Sequence, residues 1–416
     1  MERLQKIMKN RIIIFPGNMD SVFFLNEIDY ITKKFDNICV FTYKGNLQKY
    51  NVIAREKNIE YEVIKDISWD SMLHILKDVF VKKDKGVMYE IYKALRQDGN
   101  LFAKIKRIAY VLFYVSYAFN VEKAYKKIKM DIYSDTLYSF WLSRGAYACA
   151  YLENKYQIKK SIARAHRFDL YEDRSSINYL PFRKFIYKNI EKICFISEHG
   201  YQYFVNRYKC NRKKLFICRL GTSNLGRAEK TIRNKGFVSI VSCSNIISVK
   251  RLDLIIDILS QLTIPFKWIH IGDGHMKKKI QDYAKKRLRR ENFCFLGSVD
   301  NSLILDIYMK EDVDYLINMS DSEGLPVSMM EAFSVGIPVI SRNIGGVSEI
   351  VNNDCGLLLG QNEKLEVMVK KVQRVLSVRL TDINAYSELS KNAFEHWKQK
   401  FNSEKNYEQF TKILLN

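Results

Sequence analysis

Nowhere in the 416 residues does an apolar run reach the length of a bilayer. The longest uncharged stretch, Ile108 to Val121 (IAYVLFYVSYAFNV), spans about 14 residues where a crossing helix needs about 20. Lys104, Lys106 and Arg107 precede it and Lys123, Lys126, Lys127 and Lys129 follow. Two readings stand: a buried helix with basic ends, or a segment lying in the membrane interface. The first residues are expected to form a strand rather than a signal peptide, since MERLQKIMKNRIIIFPG has only four apolar residues in a row before Pro16 and Gly17. The eight cysteines (39, 149, 194, 210, 218, 243, 294 and 355) contain no CxxC pair. That argues against a disulfide framework or zinc site and predicts buried free thiols in a reducing compartment. No stretch is low-complexity, no fixed period repeats, and no helix-turn-helix, RNP or zinc signature is found.

Acidic residues are also in short supply. The net charge is +22, and it is uneven: residues 1–225 hold 41 Lys/Arg against 23 Asp/Glu, or +18, and the remainder 27 against 23, or +4. A basic first half faces an anionic partner, with nucleic acid, an anionic membrane surface and phosphorylated acceptors as candidates, unless a Lys-, Asn- and Ile-rich composition reflects genome bias. With no recognition motif behind it, nucleic acid is the weakest of these.

What is present is a chain long enough for two domains, in which β-branched runs alternate with helical stretches, the mark of parallel α/β units. Strands are predicted at 11–15, 38–43, 131–134, 160–164, 193–197 and 215–218. The polar, Gly-containing segment GTSNLGRAEKTIRNKG (221–236) interrupts the pattern as a linker. A second series follows at 237–243, 266–271, 292–296, 313–317 and 338–341. The expected organisation is an α/β fold of two Rossmann-like domains facing across a cleft: 1–220 for the acceptor, 237–384 for a nucleotide sugar, and 385–416 as helices crossing back to the first domain. Trp397, Phe401, Tyr407 and Phe410 are the apolar anchors of that last stretch.

The most informative segment is SDSEGLPVSMMEAFSVGIPVISRNIGGVSEI, Ser320 to Ile350. Pro326 is placed to open a helix and Gly336 to close it, predicting a helix from Pro326 to Val335. Glu323 lies in the loop before it and Glu331 within it, among apolar residues where a carboxylate needs hydrogen-bond donors. Sugar hydroxyls would supply them, and exposed amides around Leu325 to Ser328 would suit a phosphate.

Two glutamates eight positions apart around EGLP, followed by EAFSVGIPVI and GG-x-x-E, resemble the Glu-x7-Glu signature of family-4 retaining glycosyltransferases of GT-B fold. The resemblance extends through FPGNMDSVFFLNEI, RAHRFDLYEDR, SCSNIISVKRLDLII, HIGDGHMKKKI and FLGSVDN. It implies that Glu331 binds the ribose, Glu323 the hydroxyls of the transferred sugar, and Lys250 the donor diphosphate, with Gly324, Leu325, Pro326 and Val327 lining the donor. The family's arginine five positions before that lysine is Asn245 here, and Arg251 or Arg219 are the candidates to compensate. Gly297, Ser298 and Val299 fall where the base is recognised. His166 corresponds to a histidine that approaches the donor sugar, Gly17 and Asn18 to a loop near the transferred group, and Arg164, Arg167 and Asp169 to an acceptor-side rim.

Three look-alikes read as structural. Gly272-Asp273-Gly274 is a strand-to-helix turn without the third glycine of a dinucleotide fingerprint. Asp312-Val313-Asp314 enters a buried strand, and Lys277 to Lys279 form a solvated helix face. The implied function is metal-independent, cofactor-free transfer of a sugar from a UDP- or GDP-sugar to a hydroxyl with retention, in bacterial exopolysaccharide, capsule or O-antigen synthesis. The acceptor would be a lipid-linked saccharide at the cytoplasmic face of the membrane. A non-catalytic GT-B subunit that binds a glycan or partner protein is the alternative.

Overall fold

Short runs of Ile, Val, Leu and Phe buried on both faces build the strands, as parallel sheets covered by helices require. The computed structural model describes residues 10–17, 22–46, 59–68, 72–73, 75–77, 84–226, 232–233 and 235–416. Within them the chain forms two compact units, Met1–Cys218 with Tyr407–Asn416, and Arg219–Asn406.

The first unit holds β1 (Arg11–Phe15), β2 (Asn37–Tyr43), β3 (Glu60–Ile64), β4 (Thr136–Ser139), β5 (Lys160–Ala165), β6 (Lys192–Phe195) and β7 (Leu215–Ile217). They make one parallel sheet in the order β3-β2-β1-β4-β5-β6-β7. Ile12 pairs with Thr136 and Phe15 with Ser139 where β1 meets β4. The second unit holds β8 (Val238–Cys243), β9 (Phe266–Ile271), β10 (Phe293–Gly297), β11 (Tyr315–Asn318), β12 (Val339–Arg342) and β13 (Gly356–Leu359), ordered β10-β9-β8-β11-β12-β13. Each sheet therefore reverses its winding once, between β1 and β4 and between β8 and β11. At such a reversal the loops leaving the carboxyl ends diverge and open a crevice for a ligand.

Several expectations are corrected. The strand expected at 131–134 begins at Thr136, because the Asp131 carboxylate accepts from the amides of Tyr133 and Ser134, at 3.1 and 3.2 Å, and turns the chain there. Buried Asp135 then takes Arg11 Nε at 2.6 Å and the Tyr125 hydroxyl at 2.6 Å. Strands β3 and β13 were not foreseen. Stretch 108–121 lies inside a 27-residue helix, Leu101–Lys127, with Val111, Tyr114, Val115, Ala118 and Val121 in the core, so the buried reading holds. Among the described residues no helix is long and apolar enough to cross a membrane. The helix expected from Pro326 to Val335 is shorter, Val327–Phe333, with Pro326 as its cap and Gly336 in the left-handed conformation at φ 75° beyond it.

The first boundary falls between Cys218 and Arg219, beside the one expected at 220; the expected linker at 221–236 lies partly outside the described residues, and the return to the first unit comes later than 385. The second unit begins at Arg219 and keeps the helix Ile383–Lys400, whose Tyr386 hydroxyl donates to Asp314 O at 2.8 Å and whose Trp397 Nε1 donates to Thr222 Oγ1 at 3.0 Å. Only from Tyr407 does the chain rejoin the first unit, where the Phe410 ring lies 5.4 Å from that of Tyr138. All eight cysteines are free thiols; Cys294 is exposed and the others are buried or half-buried.

Candidate functional site

After β8 the chain passes through Ser244 to Ile247 into a single turn, Ser248–Lys250, and after β11 it passes through Met319 to Glu323 into the Val327–Phe333 helix. These two loops flank the reversal of the second sheet, and they bring Lys250 and Glu323 together: Lys250 Nζ lies 2.6 Å from Glu323 Oε1. Asn318 Nδ2 donates to the same oxygen at 3.2 Å. Glu323 is only 8% exposed, so its charge is tolerable there because a cation and a polar donor meet it. The loops are also laced through Asp321. Its amide donates to Val249 O at 2.8 Å, and its carboxylate accepts from Arg251 at 3.2 Å and from Arg342.

Two glycines fix this arrangement from the β12 side. A Cβ on Gly345, which has φ +52°, would fall 2.0 Å from Glu323 O, and one on Gly346 would fall 2.6 Å from Gly324 O. Only backbone without a side chain can press so closely on the loop that carries Glu323. The Gly272-Asp273-Gly274 turn does the same beneath the β8 loop. Cβ atoms there would lie 1.9 Å from Ser244 O and 2.4 Å from Ile246 O, and Ile246 N donates to Asp273 O at 2.8 Å.

Glu331 stands on the helix Val327–Phe333 with no hydrogen bond to its carboxylate among the described residues, and burial pushes it up to about 7. Cys243, at the carboxyl end of β8, links it to the pair. That thiol is pushed up to about 12, by burial first and by the Glu331 charge second, against the opposing effects of Tyr308 and Lys250. The arrangement thus places a buried acid held by a lysine and a second, unpaired acid around one strand end. Exchange of the Lys250–Glu323 contact for a ligand's anion and hydroxyls is chemistry that these groups can perform.

The other expected donor residues are distributed unevenly. Gly324 is half-buried, Leu325 and Pro326 are buried, and Val327 starts the helix in the same loop. Asn245 is exposed after β8. Gly297, at φ +77°, ends edge strand β10 and is followed by exposed Ser298 and half-buried Val299. Arg251 is not available as a spare cation, because its guanidinium bonds Asp253 at 3.1 Å and Asp321 at 3.2 Å. Arg219 is engaged with Glu349 at 3.4 Å. Asp314 pairs with Arg379 at 2.7 Å and Lys235 at 3.0 Å, as a structural acid would. A cavity of about 610 Å³ between the helices Leu252–Leu259 and Lys277–Arg287 is lined by Arg251, Met276 and Tyr283 but not by Lys250, Glu323 or Glu331.

In the first unit the corresponding reversal carries Gly17 after β1 and Trp141 after β4, with His166 next to them after β5. Asn18 lies outside the described residues. His166 is buried against the rings of Trp141 (4.2 Å) and Phe140 (4.8 Å), and desolvation depresses it although Asp169, 3.7 Å away, pulls the other way. Its imidazole is therefore neutral near pH 7.

Two of the three residues expected on the acceptor rim are not on a rim. Arg164 is wholly buried, paired with Glu27 and donating to Cys218 O at 2.9 Å, because its side chain points into the sheet core rather than along the strand end. Asp169 is buried as a loop brace, accepting from Leu142 N at 2.7 Å and His166 N at 2.9 Å. Arg167 alone keeps part of its surface. Sequence reasoning missed Trp141 and Phe168, whose rings lie 4.6 Å apart beside His166, Phe168 being 51% exposed. The signal was there: Trp141 follows a strand end in YSFWLSRG as His166 does in RAHRFD.

Residues 227–396 match the family described as Glycosyl transferases group 1. Curated relatives include an uncharacterized glycosyltransferase of Methanocaldococcus jannaschii, 25% identical over 63% of this chain and 71% of that protein. Another is the O-antigen biosynthesis glycosyltransferase WbnH of Escherichia coli, 32% identical over 27% of this chain and 31% of that one. The chain thus spans less than a third of the second relative. Among solved structures, a glycosyltransferase from Rickettsia africae superposes with TM-score 0.67 at 15% identity, covering 98% of each chain. Anabaena HepE in complex with UDP gives 0.66 at 13%, covering 97% of this chain and 99% of that one.

Proposed function

We propose that this chain, which has the GT-B fold and carries a group 1 glycosyltransferase domain over residues 227–396, transfers a sugar from a nucleotide diphosphate to an acceptor hydroxyl. In this reading the anomeric configuration is retained, no metal is used, and the product is a bacterial surface polysaccharide. The observation that carries it is the Lys250–Glu323 contact of 2.6 Å at the β8/β11 reversal, beside an unpaired Glu331.

Each group has a distinct task. As the bond to the anomeric carbon breaks, negative charge grows on the departing diphosphate, and Lys250 is the cation placed to meet it. At about 4 Å and an effective dielectric near 20, such a pair gains on the order of 4 kcal/mol before desolvation. Glu323, released by Lys250, accepts from hydroxyls of the sugar, and Glu331 accepts from those of the ribose. His166, held neutral, offers a hydrogen bond without bringing a competing charge. On the first unit the Trp141–Phe168 pair gives an acceptor sugar an apolar face to stack on. The acceptor is read as a saccharide borne on a lipid, supported by the +18 charge of residues 1–225. The UDP held by HepE makes uridine sugars the first donors to test, and WbnH, named for O-antigen biosynthesis, supports a surface polysaccharide as the product.

The decisive experiment is thermal unfolding with UDP, GDP and their sugars. A donor at about 100 times its Kd stabilises the chain by about 2.7 kcal/mol, and Lys250→Ala and Glu331→Ala should abolish the gain. If no nucleotide sugar stabilises the protein, the reading is wrong. Asn245, where the resemblance expects arginine, is the one feature that favours a non-catalytic subunit. Hydrolysis of the bound donor without acceptor would exclude that alternative.

A further inference from the structure

Seven of the 18 large apolar side chains exposed among the described residues fall within the 18 positions from Met88 to Ile105. On the helix Lys85–Arg96, Val87, Glu90 and Ala94 face the core. The opposite face, by the 100° rotation per residue, carries Met88, Tyr89, Tyr92 and Leu95 interleaved with Lys85 and Arg96. Around the corner, Leu101, Phe102 and Ile105 in the first turns of the helix Leu101–Lys127 are 73%, 64% and 52% exposed, with Lys104 and Lys106 among them.

The corner is held as a rigid wedge. Arg107, itself buried, donates to Gln97 O at 3.0 Å, Asp98 O at 2.8 Å and Ile177 O at 3.2 Å, and Asn100 caps the second helix through Ala103 N at 2.9 Å. Gly99 takes φ +141° to make the bend. Of the acids of this segment, Glu90 is turned inward onto Lys93 and Tyr179, while exposed Asp84 and Asp98 sit at the helix cap and the bend, outnumbered by Lys85, Arg96, Lys104 and Lys106. The Lys106 ammonium lies over the Phe102 ring, 4.3 Å from its centre.

We propose that this corner is a membrane-docking wedge that inserts Leu101, Phe102 and Ile105 into the headgroup boundary of an anionic bilayer, while Lys85, Arg96, Lys104 and Lys106 contact lipid phosphates. Charge complementarity selects this occupant. Lysines are depleted from the centres of protein interfaces, whereas aromatic and apolar side chains with snorkelling lysines suit the bilayer boundary. The wedge deepens the reading of a lipid-borne acceptor and rests on it for its purpose. It also shifts the interfacial segment to 88–105, the preceding helix and the first turns of the one that holds the stretch 108–121 the sequence had offered.

The test is flotation of the full chain with vesicles of phosphatidylcholine containing one third phosphatidylglycerol, and with phosphatidylcholine alone. Binding is expected only to the anionic vesicles and is expected to fade at high salt. Arg96→Gln with Lys106→Gln should weaken it about 30-fold, each charge near the surface counting for about fivefold. Leu101→Glu with Phe102→Glu should weaken it by about 100-fold or more. Both positions are exposed, and unchanged circular dichroism and an unchanged response to nucleotide sugar would show that the variants are folded. Equal binding to neutral vesicles, unaltered binding by the glutamate variant, or a dimer in light scattering that the glutamate variant dissociates would each overturn the proposal. A chain that floats as expected but ignores every nucleotide sugar would uphold the wedge and sink the enzymatic reading instead.

Discussion

The Glu331 carboxylate gives the sharpest test, because its isolation predicts two opposite effects of one substitution. Burial raises it from 4.5 to about 7. The difference, at about 1.36 kcal/mol for each pH unit, means that keeping Glu331 ionised costs the unliganded fold about 3 kcal/mol. The sign follows from linkage: the unfolded chain ionises this group near 4.5 and the folded chain near 7, so the stability that protonated Glu331 allows is present below 4.5 and is lost as pH rises to about 7. Glu331→Gln removes that loss. It should equal the wild type in stability at acid pH and exceed it by up to about 3 kcal/mol above pH 7. If ribose hydroxyls donate to the ionised carboxylate, wild-type donor affinity should fall about tenfold for each pH unit below 7. In Glu331→Gln the affinity should be lower above pH 7 and nearly flat with pH. Denaturant titrations and calorimetric donor titrations across this range measure both, and a nucleotide sugar is the right probe because its diphosphate diester does not titrate in the window. A variant no more stable than the wild type above pH 7, or one with the wild-type pH slope of binding, would refute the argument.

Other outcomes follow from the same geometry. Lys250→Ala should cut turnover by at least about 100-fold, as loss of a charge-stabilising group does, and should also cost about 1–3 kcal/mol by stranding buried Glu323; the double variant with Glu323→Gln should recover the stability but not the activity. Gly345→Ala, whose Cβ would lie 2.0 Å from Glu323 O, should lower kcat by about 100-fold or more, the scale of a misplacement of about 1 Å, measurable by donor hydrolysis. Arg164→Ala should destabilise the first unit by about 3–5 kcal/mol in urea unfolding, as a broken buried ion pair does, because this residue braces the core through Glu27. Asn245→Arg should tighten donor binding by about tenfold, the scale of one added hydrogen bond to a charged group, read by calorimetry.

Legibility in the sequence followed the physics of each signal. Strands that are continuous apolar runs, such as IIIF and VSIVSC, announced themselves because a parallel sheet buries both faces. The edge strand EYEVI did not, since its glutamates sit where only part of the strand is covered. Glu331 stood out because a carboxylate among Met330, Ala332 and Phe333 demands an explanation, whereas Glu323 was singled out by the family resemblance. The misassignment of Arg164 and Asp169 has a different cause. An Arg and an Asp near a strand end look alike whether they point to solvent or into the sheet, and only the burial of Glu27 beneath Arg164 decides it. Gly345 and Gly346 reveal their purpose only when the loop they press upon is seen.

The charge inventory around the second unit's strand ends has one consequence for how Asn245 is understood. Every described cation close to the two loops is matched by an acid: Lys250 by Glu323, Arg251 by Asp253 and Asp321, Arg342 by Asp321 again. A diphosphate bound there as proposed would find no unmatched positive charge among these residues and would have to compete with Glu323 for Lys250. An arginine at 245 would have relieved that competition. In the proposed reading, asparagine at this position therefore couples donor binding to the release of Glu323, so that the acid freed by the diphosphate would become available to the sugar only when the nucleotide is seated. A donor lacking the sugar should gain less from this exchange than the intact nucleotide sugar. The difference in affinity between UDP and a UDP-sugar should then shrink in Glu323→Gln, where there is no carboxylate to free.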